Sequence, residues 1–215
     1  GTNSSARATT AIGNNTTASS QYAVAIGTGT NASGDAAIAM GNNTTASSNY
    51  AVALGTGTTA NGNSAFAIGN STTASGNNST ALGNNTTASD FGSLVIGQFN
   101  SSGSSATSAG SYNSGNTAFV IGNGTGSGNL SDAFKVMFNG DTYISSSLYL
   151  GGTAITSNAA ELNILDGVTS TAAELNILDG VTSSAAELNI LDGVASTTAE
   201  LNILDGVTST AAELN

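Results

Sequence analysis

The sequence predicts a mainly β, fibrous fold: a parallel roll of 14-residue coils over residues 1–100, a loop and hairpin segment over 101–156, and 13-residue short-helix and turn units over 157–215. Two periods carry this reading. Glycines stand fourteen apart at Gly13, Gly27, Gly41, Gly55, Gly69, Gly83 and Gly97, and glutamates thirteen apart at Glu161, Glu174, Glu187, Glu200 and Glu213. Composition is the third observation: Gly, Ala, Ser, Thr and Asn make up about 69% of the 215 residues, far from average usage. Such tracts are ordinarily flexible. The same residues in strict register signal a solenoid instead, in which neighbours bury what one repeat cannot. Charged residues are 7% of the chain, unlike charge-driven disorder.

In the first segment each glycine follows a large aliphatic: Ile12, Ile26, Met40, Leu54, Ile68, Leu82 and Ile96. Two residues before the glycine stands Ala, or Val95 in the last copy; three after it stands Thr, and five after it Ala, from Thr16 and Ala18 to Thr86 and Ala88. The stretch Ala23-Val24-Ala25-Ile26-Gly27 alternates large and small with period two, so Val24 and Ile26 share one face of a strand and Ala23 and Ala25 the other. Thr30-Asn31-Ala32 supplies a second short strand. Corners containing Gly and Asn provide the positive φ of tight turns. Fourteen residues thus close one coil, and seven coils stacked at about 4.8 Å give a column of roughly 30–35 Å. The interior holds Ala and Thr. The large side chains, among them Val24, Ile26, Val52, Leu54, Phe66 and Ile68, stay partly uncovered on one chain, and association around a long axis is the natural remedy.

Repeats such as Ala23-Val24-Ala25-Ile26-Gly27 followed by Asn31-Ala32-Ser33-Gly34 resemble the head repeats of trimeric autotransporter adhesins, the YadA-head type, over roughly residues 8–100. That resemblance implies a left-handed parallel β-roll with three chains side by side, and hence a homotrimer packed on those outer columns.

After Gly97 the period fails through residue 117 and returns once as Ala118-Phe119-Val120-Ile121-Gly122. Alternating apolar residues around Asn139-Gly140 signal a hairpin, with Phe134, Val136 and Phe138 on one face. The stretch resembles the short β-prism modules of phage tail fibres, which implies a well-packed trimeric knot.

From residue 157 the motif Ala-Glu-Leu-Asn-Ile-Leu-Asp-Gly-Val repeats. Three residues before each Glu stands Asn158, Thr171, Ser184, Thr197 or Thr210, the capping-box arrangement of an N-cap oxygen with an N3 carboxylate. Gly167, Gly180, Gly193 and Gly206 sit where a left-handed residue ends a helix. Each unit therefore reads as about two helical turns and an extended link. Helices under about 12–15 residues are marginal alone, so Leu162 with Leu165, and Leu175 with Leu178, require neighbours. A continuous β-spiral through Val168-Thr169-Ser170 is the other reading of this string. The string resembles repeats in large structural and tail-fibre proteins of phages, notably those of marine cyanobacteria, which implies a fibre role.

Chemistry is excluded more firmly than it is suggested. With no His and no Cys there is no imidazole base, thiol nucleophile, disulfide, or Cys/His metal or haem site. Two basic residues, Arg7 and Lys135, against thirteen acids and a net charge of −11 disfavour nucleic acid and anionic membranes. No apolar run of about 18 residues suggests a membrane span, and no signal peptide is visible. Asp166, Asp179, Asp192 and Asp205 would form carboxylate rings in a trimer, where calcium is conceivable; as Asp-Gly pairs at helix ends they need no metal, and neither metal nor cofactor is assigned. Gly27-Thr28-Gly29 and Gly122 to Gly126 lack the Lys and helix of a phosphate loop. A catalytic acid has no reason to recur at thirteen, and the caps explain every Glu. The Asn-x-Ser/Thr sites at Asn15, Asn43, Asn70 and Asn85 follow from composition.

The expected function is a non-enzymatic, homotrimeric, extracellular fibre segment of a phage tail fibre or virion appendage, which projects binding to a host-cell receptor by this chain or a further tip. A bacterial surface adhesin that binds matrix or glycan directly, and a self-polymerising filament, are the alternatives. Gly1 without Met and a last repeat cut at Asn215 point to a piece of something longer.

Overall fold

A computed structural model describes residues 1–101, 103, 107–164, 166–177, 179 and 181–184. The chain forms two compact units, Gly1–Thr156 and Ser157–Asn215.

The first unit is a parallel β-solenoid. Its long strands, Thr10–Asn14, Val24–Thr28, Ile38–Asn42, Val52–Thr56, Phe66–Asn70, Thr80–Asn84, Leu94–Gln98 and Thr117–Asn123, stack in chain order as parallel neighbours. The return strands, Thr2–Ser4, Thr16–Ala18, Asn31–Ala32, Thr45–Ala46, Thr59–Ala60, Thr73–Ala74 and Thr87–Ala88, form a seven-stranded sheet. Every glycine of the 14-residue column pairs with the next, Gly13 with Gly27 through Gly83 with Gly97.

The reason for that column is stacking as much as turning. These glycines lie inside the long strands with φ between +97° and +133°. A Cβ on Gly41 would fall on the carbonyl oxygen of Gly55, and the same clash repeats along the column. Left-handed corners fall at two further columns. One holds Asn15, Gly29, Asn43, Gly57, Ser71, Asn85 and Phe99, largely as the turn chemistry predicts. The other holds Ala8, Tyr22, Ala36, Tyr50, Ser64, Asn78 and Gly92, where Ala and Tyr depart from it. A ladder of backbone bonds holds these residues in place: Tyr22 N–H to Arg7 C=O at 3.1 Å, Ala36 to Gln21 at 2.7 Å and Tyr50 to Asp35 at 2.8 Å.

Between the two sheets there is room only for small side chains. The buried apolar core, among the described residues, is alanine at every coil plus Val95 and Val120. Thr16, Thr30, Thr44, Thr58, Thr72 and Thr86 line the same interior at 0–1% exposure. Their Oγ1 atoms have no hydrogen-bond partner among the described residues.

The long-strand sheet continues past residue 100 to Thr117–Asn123. Gly97 pairs with Gly122 in the register of the earlier coils, so the strand Thr117–Asn123 adds an eighth rung to the same sheet after a longer connection. Asp90, 1% exposed, pins that connection: its carboxylate accepts from the Thr107 N–H at 2.7 Å and the Thr117 N–H at 2.8 Å. Asn100, at the next position of the Thr column, closes the short sheet. Its carboxamide accepts from the Thr87 N–H at 2.8 Å and donates to the Thr87 C=O at 2.9 Å, standing in for the backbone of a further strand. The predicted hairpin follows, Asp132–Met137 against Thr142–Ile144, and adds two antiparallel strands to the sheet. A second small hairpin joins Tyr149–Leu150 to Thr153–Ala154 through Gly151 and Gly152, both at positive φ.

In the second unit, helices Ala159–Ile164 and Ala172–Ile177 decide between helix and β-spiral for the two described repeats. Both carry the capping box. The Asn158 N–H donates to Glu161 Oε2 at 2.8 Å while the Glu161 N–H donates to Asn158 Oδ1 at 3.0 Å. The Thr171 N–H and Oγ1 donate to Glu174 Oε2 at 2.7 and 2.8 Å, and the Glu174 N–H donates to Thr171 Oγ1 at 3.3 Å. Gly167 has φ +79°, the left-handed C′ position. The repeats of Glu187, Glu200 and Glu213 lie outside the described residues.

Candidate functional site

The surface that the fold builds most consistently is the outer face of the long-strand sheet. Because the inward position between the two outer ones is alanine, or Val95 and Val120 in the last two long strands, the flanking residues of each strand turn outward. Two columns result. One runs Thr10, Val24, Ile38, Val52, Phe66, Thr80, Leu94 and Phe119; the other runs Ile12, Ile26, Met40, Leu54, Ile68, Leu82, Ile96 and Ile121. Eight rungs at the strand spacing span about 34 Å.

Of the residues singled out in the sequence, Val24, Ile26, Val52 and Leu54 are half-buried, and Phe66 and Ile68 are exposed at 42% and 37%. Phe134 and Val136 join the ladder through the antiparallel strand, opposite Ile121 and Phe119. The Phe119 and Phe134 rings meet edge to face at 6.0 Å. Phe138 lies past the end of that strand and meets Tyr112 instead, with ring centres 5.5 Å apart. Leu162 and Leu175 are exposed at 47% and 39% on their short helices. Leu165 and Leu178 lie outside the described residues.

Sequence reasoning did not single out Asp90 or Asn100. A signal existed: each is the first departure from its column, Asp90 after Ser20, Gly34, Ser48, Gly62 and Gly76, and Asn100 after six threonines. It also missed an open cleft beside the hairpin, lined by Asp132, Lys135 and Tyr143 among others. No group of three or more acidic residues among the described ones is placed to hold a metal ion. No helix among them is long and apolar enough to cross a membrane.

The Glu174 carboxyl is held below the ordinary Glu value, first by the Thr171 backbone N–H and then by the Thr171 hydroxyl. This is a helix-capping carboxylate; its geometry serves folding.

Parallel coils of fourteen residues, a small-residue interior and an apolar outer face define the class: a β-solenoid of the adhesin-head kind. Residues 4–30, 32–58 and 60–86 each match the YadA head domain repeat (2 copies), the two-copy unit corresponding to two coils. Over these residues the roll is YadA-head-like, which implies an adhesin-like, fibrous structural role; adhesin domains of this kind are extracellular surface proteins. The same coil geometry continues past residue 86 to the strand Thr117–Asn123. No curated protein matches the chain.

Proposed function

We propose that this chain is a mechanical segment of a homotrimeric extracellular fibre, a phage tail fibre or related virion appendage, that holds receptor-binding surfaces away from the particle. The observation that carries the proposal is the outward apolar ladder. Soluble monomers rarely leave contiguous apolar patches of more than a few hundred Å², and here the column from Ile12 to Ile121 is aliphatic at every coil, its neighbour apolar at all but Thr10 and Thr80. Three copies around a common axis cover three such faces at once, with alanine and threonine filling each roll. Stiffness comes from the unbroken parallel ladders, and no step of chemistry is asked of the chain.

The resemblance of the Ala-Glu-Leu-Asn-Ile-Leu-Asp-Gly-Val string to phage fibre repeats favours the virion. The YadA head match favours a second reading, a bacterial surface adhesin. Native mass measurement tests the assembly: three copies are expected, and a monomeric mass at micromolar concentration overturns it. Electron microscopy of the source particle with antibody to this segment separates virion from cell surface.

A further inference from the structure

Beside the hairpin, residues 130–132, Lys135 and residues 143–145 line, with Ser101, an open cleft of about 410 Å³, within the usual size of small-ligand sites. Its chemistry is unlike the rest of the molecule. The chain has two basic residues, and one of them, Lys135, lines the cleft together with the carboxylate of Asp132. Both groups are held in place. Asp132 Oδ1 accepts from the Ser101 N–H at 2.9 Å and Oδ2 from the Ser101 hydroxyl at 2.8 Å. Lys135 Nζ lies 4.2 Å from the centre of the Tyr143 ring, a cation–π contact between directly paired residues of the two strands. Ser131 and Ser145 add hydroxyls, and Leu130 and Ile144 add an apolar wall.

We infer that this cleft binds a neutral saccharide, a glycan-recognition subsite carried by the chain itself. A carboxylate accepts from sugar hydroxyls, an ammonium donates to them, and serine hydroxyls do either. Leu130 and Ile144 suit the C–H face of a pyranose ring, whose burial is favourable as for any apolar surface. Charge selects the neutral class. Asp132 and the net charge of −11 repel an anionic sugar, while Lys135 repels a cation. The inference takes only the source of its ligand, a glycan-bearing surface, from the fibre reading above; the site stands on its own geometry.

Saturation-transfer NMR on the full chain tests it, with the methyl glycosides of glucose, galactose and mannose as probes and 3′-sialyllactose as the acidic comparison. At least one neutral glycoside shows transfer, with affinity reduced about fivefold or more, the equivalent of one hydrogen bond, in Lys135→Met and in Ser145→Ala. Lys135→Met keeps the apolar stem over Tyr143 and removes the ammonium, and thermal unfolding of each variant shows that the fold is retained. Transfer to none of the neutral probes, binding undiminished in both variants, or preference for 3′-sialyllactose overturns the inference. Native mass of the same sample separates the two readings. A homotrimer that binds no sugar overturns the cleft alone, and a monomer whose sugar binding is lost in the variants overturns the fibre alone.

Discussion

Two columns of single residues decide whether one coil can lie on the next. In the glycine column the absent Cβ is replaced by the carbonyl of the following coil, at a φ that L side chains avoid. Gly41→Ala combines overpacking with left-handed strain, and is expected to destabilise the roll by about 2–4 kcal/mol. Gly126→Ala, where nothing lies within reach of a Cβ, changes stability by less than about 0.5 kcal/mol. Denaturant unfolding monitored by circular dichroism measures both. The threonine column poses the opposite question. Thr44 is fully buried and its hydroxyl has no partner among the described residues, so the group is desolvated without return. Thr44→Val keeps the shape and deletes the hydroxyl; it should leave stability unchanged or raise it by about 1 kcal/mol. Thr44→Ser keeps the hydroxyl and loses a methyl, and should lower stability by about 1 kcal/mol. A reversed order in the same unfolding assay would mean that the hydroxyls are satisfied in solution.

At the scale of elements, the two caps differ in reach, and so in how visible they are in a sequence. The helix cap is local. Asn158 with Glu161 and Thr171 with Glu174 stand three residues apart, and their reciprocal bonds follow from that spacing alone. The alternation around Ile26 and the Asn139-Gly140 hairpin are local in the same way. The roll's cap is not. Asp90 reaches 17 residues to Thr107 and 27 to Thr117, and no pattern announces which backbone N–H groups a lone carboxylate will meet. The return of the period at Thr117–Asn123 is obscured for the same reason, since the strand's register is kept by pairing rather than by sequence spacing. The cleft was illegible too, because Ser101, Asp132 and Tyr143 meet only once the strands have paired.

Each kind of cap makes a prediction. Asn100→Ala leaves the Thr87 N–H and C=O without that pairing, and should cost about 1–3 kcal/mol. Amide hydrogen exchange should rise first around Thr87 and residues 107–117. Unchanged protection there would remove Asn100 from its capping role. For the helix, Glu174 has its folded pKa depressed by Thr171, so its stabilisation is full above the ordinary Glu pKa and is lost as pH falls through the lowered value. The Glu174 carboxyl shift, followed by NMR, should titrate below that of the same residue in Thr171→Ala. Helical content of the tail should fall with acid over that interval.

At the scale of the whole molecule, the roll divides its side chains between two tasks, and the division can be tested with neighbouring residues. Ala53 and Leu54 are adjacent in one strand, yet Ala53 is fully buried between the sheets and Leu54 is half-buried on the outer face. Small interiors make a coil that closes, but they give little apolar burial for each residue. The large side chains that other folds keep inside are here set on the outer face. Ala53→Glu places a charge and a longer side chain among buried alanines and threonines, and should unfold the surrounding coils at a cost above about 3 kcal/mol. Leu54→Glu places the same charge on the outer face, where a single roll tolerates it, but three of them would face one another near a trimer axis. The expected result is a folded monomer: β-sheet circular dichroism retained, native mass reduced from three copies to one. If Leu54→Glu instead stays at the mass of a trimeric parent, the outer ladder is not the surface that joins the three copies.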